Sequence, residues 1–172
     1  VGWSDLPADL SDTAALERLE VFLPKDATVV SSDLSRAVET ANAIQGDRPR
    51  LPHDPNLREM HFGDWELKSH TEVEDKEHMM AFWDTPGDIR APNGENWNEL
   101  VARVDTAIAA LQSQSDIGDL VIVCHFGVII TQVQRALRLT AYEAFSHRIN
   151  NLSVTMIDTG NDWKLEELNH NP

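Results

Sequence analysis

The sequence predicts an α/β fold, a three-layer sandwich in which helices cover both faces of a mostly parallel central sheet. Two short apolar runs, ATVVSS (27–32) and LVIVC (120–124), are each followed by apolar residues at helical spacing. Strands that alternate with helices in this way favour parallel pairing. No linker or repeat divides the 172 residues, so we expect one domain spanning 1–172.

The N-terminal part predicts a helix, a strand and a second helix. In DTAALERLEVFL (12–23) the apolar residues Leu16, Leu19 and Phe22 recur at helical spacing, and Ser11 is a suitable N-cap. ATVVSS then predicts a buried strand. The segment SSDLSRAVETANAI (31–44) restores a helical pattern, and the prolines of RPRLPHDPNL (48–57) indicate an extended loop or an edge segment.

The middle of the chain combines an acidic stretch with a long amphipathic helix. Residues 69–83 are weakly helical and strongly acidic, and residues 84–94 are rich in turn formers, so we expect an exposed, mobile excursion there. Asn96 is a suitable cap for the helix that follows. Its apolar stripe, expected to face the sheet, comprises Trp97, Leu100, Val101, Val104, Ile108 and Leu111.

The C-terminal part predicts a second strand and helix and then a hairpin. LVIVC is continuously apolar, as is typical of strands buried on both faces of a parallel sheet. GVIITQVQRALRL (127–139) has helical spacing. LSVTMID (152–158) and WKLEELN (163–169) alternate in parts with a period of two, which favours an antiparallel pair.

Composition excludes several classes of partner. The 29 acidic residues against 14 Lys and Arg give a formal charge of −15, which repels nucleic acid and anionic membranes. No apolar run is long enough for a membrane span. Cys124 is the only cysteine and no targeting signal stands out, so we expect a cytoplasmic protein. No feature of the sequence predicts an oligomeric state.

The ends of the two predicted parallel strands are where chemistry is expected. In open α/β sheets ligands bind beyond the carboxyl ends of the strands, close to helix N-termini that favour anions. Arg36 follows the first strand and offers a planar fork of donors suited to phosphate, unless it is simply an exposed helix residue. His125 follows the second strand and is either a ligand-binding imidazole or a core histidine bonded to backbone carbonyls.

A carboxyl group between apolar residues is the third candidate. Glu59 lies in LREMHFGDWE (57–66), where burial among Leu57, Met60 and aromatic residues would raise its pKa and let it act as an acid. The alternative is an ordinary salt bridge to Arg58 or another cation in a solvated loop.

Other chemistries lack their motifs. A phosphate-binding P-loop, a serine-hydrolase elbow and a zinc-protease motif are all absent from the sequence. Cys124 lacks the arginine six positions later that a cysteine phosphatase loop requires, because Ile130 stands there. The histidines are scattered, so we expect neither a metal site nor a cofactor.

Taken together, SSDLSRAVETA, LREMHFGDWE and VCHFGVI resemble, in this order, the signatures of the histidine phosphatase superfamily, which has the phosphoglycerate-mutase-like fold. The resemblance covers essentially the whole chain and is greatest to the small phosphatases. It implies that Arg36 binds the phosphoryl group, that His125 stabilises its developing charge and that Glu59 protonates the leaving alkoxide. The reaction it implies is metal-independent hydrolysis of a small phosphomonoester through a phosphohistidine.

Two departures from the family pattern bear on these expectations. The family's nucleophile is the histidine of an Arg-His-Gly signature, which does not occur in these residues. We expect that signature and its strand to precede Val1, so that residues 1–172 are a truncated chain that is inactive alone. Phe126 replaces a small residue after the second histidine; it either binds substrate through its backbone N–H and narrows the entrance, or only packs. The alternative functions are a non-catalytic anion-binding or regulatory module and a small-metabolite phosphomutase.

Overall fold

The computed structural model describes residues 1–114, 116–160 and 162–172, which form a mixed α/β fold. Short 3-10 turns cover Pro55–Leu57 and Gly63–Trp65. The helices and strands, in chain order, are α1 (Thr13–Phe22), β1 (Thr28–Ser31), α2 (Ser35–Ile44), α3 (Lys76–Asp84), α4 (Trp97–Gln112), β2 (Leu120–Val123), α5 (Phe126–Leu137), α6 (Ala141–Ala144), β3 (Val154–Asp158) and β4 (Lys164–His170).

Each helix and strand expected from the sequence is present, with small differences at the ends. The cap of α1 is Asp12, whose carboxylate accepts a hydrogen bond from the N–H of Ala15, so the prediction of Ser11 was wrong by one position. Both residue types stabilise a helix N-terminus by the same kind of bond, and their adjacency made the choice ambiguous.

The strands form two separate pairs rather than one central sheet. β1 and β2 are parallel, in the register Val29 with Val121 and Ser31 with Val123. β3 and β4 form the predicted antiparallel hairpin. The other edge of β1 is covered by residues 49–51, which make an isolated parallel bridge from Arg50 to Val29. The three-layer arrangement around one sheet is therefore not confirmed.

Burial of β2 differs from the prediction. All four of its residues are only half-buried, whereas Val29, Val30 and Ser31 of β1 are fully buried. The difference follows from pairing: β1 has a neighbour at each edge, and β2 has one neighbour in the described part of the chain. A continuously apolar sequence indicates that a strand is suited to burial, but it does not predict how many strands will pair with it.

The acidic stretch is more ordered than its composition predicted. Residues 76–84 form α3, which Asp75 caps and which buries Met79 and Phe82 in the core. The expectation of a wholly exposed excursion was therefore wrong for this helix. Asn96 caps α4 as predicted, and with Glu99 it forms a reciprocal capping box.

Two apolar clusters position the strands. The larger contains buried residues of α4 and α5 and is contacted by Leu120 and Ile122 of β2. The smaller contains Leu16, Leu19, Leu23 and Ile44, and is contacted by Val121 and Val123 of β2 and by Val154 of β3. Alternate residues of β2 thus face opposite clusters, as expected for a strand between two layers. Within the described residues, no helix is both long and apolar enough to cross a membrane.

Candidate active site

The three residues singled out in the sequence lie together at the carboxyl ends of β1 and β2. Arg36 is on the first turn of α2, His125 is the residue before α5, and Glu59 lies in the loop between the two 3-10 turns. Arg36 binds the carbonyls of Gly2 and Ser4, and the indole N–H of Trp3 between them donates to the carbonyl of Glu59 at 2.7 Å. The charge of Arg36 also lowers the pKa of His125 and opposes the rise in the pKa of Glu59. We call this group, Arg36, Glu59 and His125, the cradle.

Glu59 is buried and bonded to the start of α5. Its carboxylate accepts hydrogen bonds from the N–H of Gly127, at 3.0 and 3.1 Å to its two oxygens, and from its neighbour Met60 at 2.8 Å. A Cβ at Gly127 would lie 2.3 Å from Glu59 Oε1, so only glycine permits this approach. Burial raises the pKa of Glu59, and the two backbone N–H donors oppose that rise without reversing it.

The alternative suggested for Glu59, a salt bridge with Arg58 in a solvated loop, is not what the structure contains. Arg58 instead pairs with Asp33 through two bonds of 2.6 and 2.7 Å. Arg58 also lies over the ring of Trp3, with 4.9 Å between its guanidinium carbon and the ring centroid.

His125 is buried and has an unused ring nitrogen. Only 8% of the residue is exposed, and its Nε2 has no hydrogen-bond partner among the described residues. Burial, together with the nearby charges of Arg36 and Arg103, lowers the pKa of His125 to about 3. The imidazole is therefore neutral at physiological pH, and one of its polar atoms is left for a ligand.

The hydrogen bonds that Arg36 donates go to the main chain. Its Nη1 donates to the carbonyl of Ser4 at 3.0 Å and its Nη2 to that of Gly2 at 2.7 Å. A guanidinium carries five N–H groups, so these two bonds leave three for an anion. The side chain is half-buried rather than a freely exposed helix residue.

The segment Gly2–Ser4 is held beside the cradle by a residue that the sequence analysis missed. The carboxylate of Glu66 accepts hydrogen bonds from the N–H groups of Gly2, Trp3 and Ser4 at 2.9, 2.7 and 3.4 Å. Burial acts to raise the pKa of Glu66, but these bonds outweigh it and lower the pKa overall. One signal in the sequence could have identified Glu66: it is the last residue of the FGDWE motif and, like Glu59, has apolar and aromatic neighbours.

Arg103 was also missed, and it fixes the loop that carries Glu59. All five of its N–H groups are used: two bind Glu95 at 2.8 Å, and the others bind the carbonyls of Asn56, Arg58 and Glu59. Arg103 therefore has no donor left for a ligand. Arg103 lies on the polar side of α4. Sequence analysis missed it because hydrophobic periodicity identifies only the residues on the apolar side of a helix.

Two serines at the end of β1 serve structure rather than the cradle. Ser31 Oγ accepts a hydrogen bond from Arg50 and pairs with His53 Nδ1 at 3.0 Å, and Ser32 Oγ accepts from the N–H of Leu34. Cys124, next to His125, is half-buried, and burial of its thiol raises the thiol pKa to about 12, which disfavours the thiolate that a nucleophile requires. The described residues contain no cluster of three or more His, Cys, Asp or Glu able to hold a metal ion.

Phe126 is exposed at the first position of α5. Of this residue 38% is accessible, although it stands between buried His125 and buried Gly127. The first-turn N–H groups of a helix have no partner within the helix, and here Gly127 donates its own to Glu59. The cradle thus provides a neutral imidazole, a carboxyl group of raised pKa and a guanidinium, and the N-terminus of α5 lies beside it. This arrangement is suited to a phosphate.

Comparison with known proteins gives a consistent family. The family model described as histidine phosphatase superfamily (branch 1) matches residues 11–171. The adenosylcobalamin/alpha-ribazole phosphatase of Salmonella typhimurium is 35% identical over 134 residues, or 76% of this chain and 66% of that protein. The glucosyl-3-phosphoglycerate phosphatase of Mycolicibacterium vanbaalenii is 44% identical over 75 residues, or 40% of this chain and 33% of that protein.

A solved structure extends the similarity to nearly the whole chain. Bacillus stearothermophilus YhfR is 27% identical and superposes with a TM-score of 0.86, covering 98% of this chain and 87% of that one. The chain spans just under two thirds of the length of the Salmonella phosphatase that it matches.

Proposed function

Because the chain belongs to the histidine phosphatase superfamily, branch 1, we propose that its function is metal-independent hydrolysis of a small phosphomonoester through a phosphohistidine intermediate. Two curated relatives carry phosphatase names, one for α-ribazole and adenosylcobalamin chemistry and one for glucosyl-3-phosphoglycerate. Both names indicate a small phosphorylated metabolite, and the same substrate class is proposed for this chain.

The observation that carries the proposal is the unpartnered Nε2 of buried His125 in a cradle with Arg36 and Glu59. A buried polar atom without a partner costs about 1–3 kcal/mol. A phosphate oxygen supplies the missing partner, since neutral imidazole can donate one hydrogen bond. Arg36 donates alongside it, and both donors then face the oxygens on which negative charge accumulates during transfer.

Glu59 is proposed as the acid and then the base of the reaction. Its raised pKa favours the protonated form, which a general acid requires. Once the proton has been given to the leaving oxygen, the resulting carboxylate is still stabilised by the N–H groups of Gly127 and Met60.

The nucleophile is proposed to be a histidine N-terminal to Val1. The carbonyls of Gly2 and Ser4 accept hydrogen bonds from Arg36, so residues that precede Val1 would lie next to the cradle. A place for their strand also exists. β2 and β3 each have one edge without a partner among the described residues, and both contact the smaller apolar cluster.

The proposed reaction has two transfers. In the first, a ring nitrogen of the nucleophilic histidine attacks phosphorus, the bond to the leaving oxygen breaks, and Glu59 protonates that oxygen. In the second, Glu59 removes a proton from water, whose oxygen attacks the phosphohistidine. The phosphorus–nitrogen bond then breaks, and inorganic phosphate and free histidine are released.

The decisive experiment is turnover of an aryl phosphate by the natural full-length protein with a chelator present. We expect hydrolysis, inhibition by vanadate, and losses of about 10²–10³-fold in kcat for Arg36→Ala and for His125→Ala. Quenching during turnover with an alkaline denaturant should trap up to one phosphoryl group per chain, and later acidification should release it as inorganic phosphate.

Matched exposed residues provide the controls for this experiment. Arg148→Ala and His70→Ala remove the same side-chain types from exposed positions and should leave kcat unchanged. Full activity in His125→Ala would refute the assignment. Phosphate binding without turnover would favour a non-catalytic anion-binding module, and transfer of the phosphoryl group to a second hydroxyl would identify a mutase.

A further inference from the structure

A row of aromatic rings borders the cradle. Phe126 lies 6.5 Å from Phe145 with nearly parallel rings, and Phe145 lies 5.7 Å from Trp83 in an edge-to-face contact. Trp83 in turn lies 5.9 Å from Phe62. All these separations fall within the range of favourable aromatic pairs. We call these four residues the aromatic row.

The aromatic row is supported from behind but is incompletely covered. Phe82 and Trp97, which contact it at 4.9 and 4.6 Å, are buried to 3% and 2% exposure. By contrast, the four residues of the row are all partly accessible, and Phe126 is the most exposed of them at 38%. A contiguous, partly exposed apolar surface beside a polar site is typical of a ligand-binding wall.

The two ends of the aromatic row are close to the cradle, one through the backbone and the other through Gly2. Phe126 follows His125 directly and precedes Gly127, and the N–H of Gly127 binds Glu59. The Cα of Phe126 is therefore one peptide unit, about 3.8 Å, from the Cα of each of these neighbours. At the other end, the ring of Phe62 would be 2.9 Å from a Cβ at Gly2, whose carbonyl binds Arg36. A group attached to a phosphate in the cradle would therefore have the row within reach.

We propose that the aromatic row recognises the leaving group of the substrate, and that this leaving group carries a planar aromatic ring. The inference rests on the proposed function, because the phosphate of the ester must occupy the cradle. A planar ring can stack on Phe126 and Phe145 at an offset or edge-on, which adds an attraction that a saturated group of equal size lacks. The negative faces of these rings and the acidic protein surface disfavour an anionic leaving group.

Packing within the fold does not account for Phe126. Phe126 differs from the buried rings of Phe82 and Trp97 because over one third of it is accessible, and from exposed Phe22 because it follows His125 of the cradle directly. An exposed large apolar side chain at a helix start contributes little to folding in the absence of a ligand, so its replacement should be tolerated.

Binding of three phosphonates, which cannot be hydrolysed, tests the inference by calorimetry on the natural full-length protein. Methylphosphonate measures the cradle alone, cyclohexylmethylphosphonate adds an apolar group, and benzylphosphonate adds a planar ring of similar size. We expect benzylphosphonate to bind about tenfold more tightly than methylphosphonate and about threefold more tightly than the saturated analogue. Phe126→Leu should abolish the difference between benzyl and cyclohexylmethyl and leave methylphosphonate binding unchanged.

The control is Phe22→Leu, which replaces an equally exposed phenylalanine, at 39%, in α1. It should alter none of the three affinities. Equal binding of the benzyl and cyclohexylmethyl compounds, or a benzyl preference retained in Phe126→Leu, would overturn the inference while leaving the phosphatase proposal intact. Failure of all three phosphonates to bind would instead contradict the proposed function, and the inference with it.

Discussion

Glu59 and His125 are both driven toward their neutral forms by the same cause. Burial raises the pKa of Glu59 and lowers that of His125, so the ligand-free cradle contains a protonatable carboxyl and an uncharged imidazole beside the charge of Arg36. The charge of a phosphate dianion favours the imidazolium form of His125 and therefore opposes the effect of burial. The resting protonation states therefore suit arrival of an anion and a subsequent proton transfer from Glu59.

The lowered pKa of His125 predicts a specific loss of stability in acid. The unfolded chain takes up this proton below the ordinary pKa of 6.5, whereas the folded protein takes it up only near pH 3. Above pH 6.5 His125 is neutral in both the folded and the unfolded state, and its contribution to stability is complete. As the pH falls from 6.5 toward 3, the free energy of unfolding decreases by about 1.4 kcal/mol per pH unit. Replacement of this residue in His125→Gln should remove that dependence from the free energy of unfolding, measured with urea at several pH values.

A histidine that is already exposed supplies the comparison for the acid effect. His70 lies on the surface, so His70→Gln should keep the wild-type slope of stability against pH. The same slope in His125→Gln and in wild type would mean that burial does not hold the imidazole neutral.

The proposed acid role of Glu59 predicts a dependence on the leaving group. In Glu59→Gln the amide oxygen can still accept from Gly127, but no proton is available for the leaving oxygen. Alkyl phosphates should lose about 10²–10⁴-fold in kcat/KM, and an activated aryl phosphate, whose leaving group needs no proton, about tenfold or less. Kinetics of the full-length protein on both esters would measure this.

Glu39→Gln provides the matched substitution for that measurement, since Glu39 is exposed on α2. It should change neither rate. Equal losses for the two esters in Glu59→Gln would show that Glu59 acts by holding α5 rather than by donating a proton.

At the residue scale, sequence reasoning identified the groups that share the cradle and missed the groups that hold them. Arg36, Glu59 and His125 were recognisable because each is a reactive type at a strand end or in an apolar context. Glu66 and Arg103 were not, because their partners are backbone groups distant in the chain, such as the N–H of Trp3 and the carbonyl of Asn56. No periodicity in a sequence encodes which main-chain segments will meet.

Among the elements, helices were predicted more accurately than sheets. The extent of α4 follows from an apolar stripe and a capping residue, and that of α5 from its apolar stripe, which are local properties. The pairing of β2 depends on which strand lies beside it, and that neighbour need not be near in sequence. For this reason LVIVC was correctly predicted as a strand and incorrectly predicted as fully buried.

The unpaired edge of β2 predicts an alternation in amide exchange. The bonds from Thr28 to the carbonyl of Asp119 and from Ser32 to that of Val123 fix the register. In a parallel ladder this register directs the N–H groups of Val121 and Val123 toward β1 and that of Ile122 away from it. Ile122 should therefore exchange about fivefold or more faster than its two neighbours, which residue-resolved hydrogen exchange on residues 1–172 would measure.

β1 serves as the internal comparison, because it has partners at both edges. The N–H of Val29 binds the carbonyl of Pro49, and Val30 faces β2, so these two amides should exchange at similar rates. Equal protection of Ile122 and Val121 would indicate that the outer edge of β2 is already covered. In the full-length protein, an added strand at that edge should slow the exchange of Ile122 specifically.

On the scale of the whole molecule, an acidic protein surrounds a site proposed for an anion. The formal charge of −15 extends over the surface, whereas the guanidinium of Arg36 and the start of α5 act at short range. Arg58 and Arg103 are each paired with a carboxylate, which offsets most of their charge at long range. The acidic surface therefore repels an approaching phosphate, whereas Arg36 and the start of α5 attract the phosphate once it is within the cradle.

This separation predicts that salt accelerates phosphate binding. The Debye length is about 30 Å at 10 mM ionic strength and about 8 Å at 150 mM, so added salt screens the distant acidic surface more than the contacts within the cradle. The association rate of phosphate or vanadate, followed by tryptophan fluorescence in stopped flow, should rise about two- to tenfold over that range. Replacing exposed Glu17, Glu39 and Glu77 together by Gln removes three of the negative charges and should make the rise shallower. An association rate that falls with salt would mean that the local field of Arg36 already dominates at long range, and that the acidic surface has no influence on how the anion arrives.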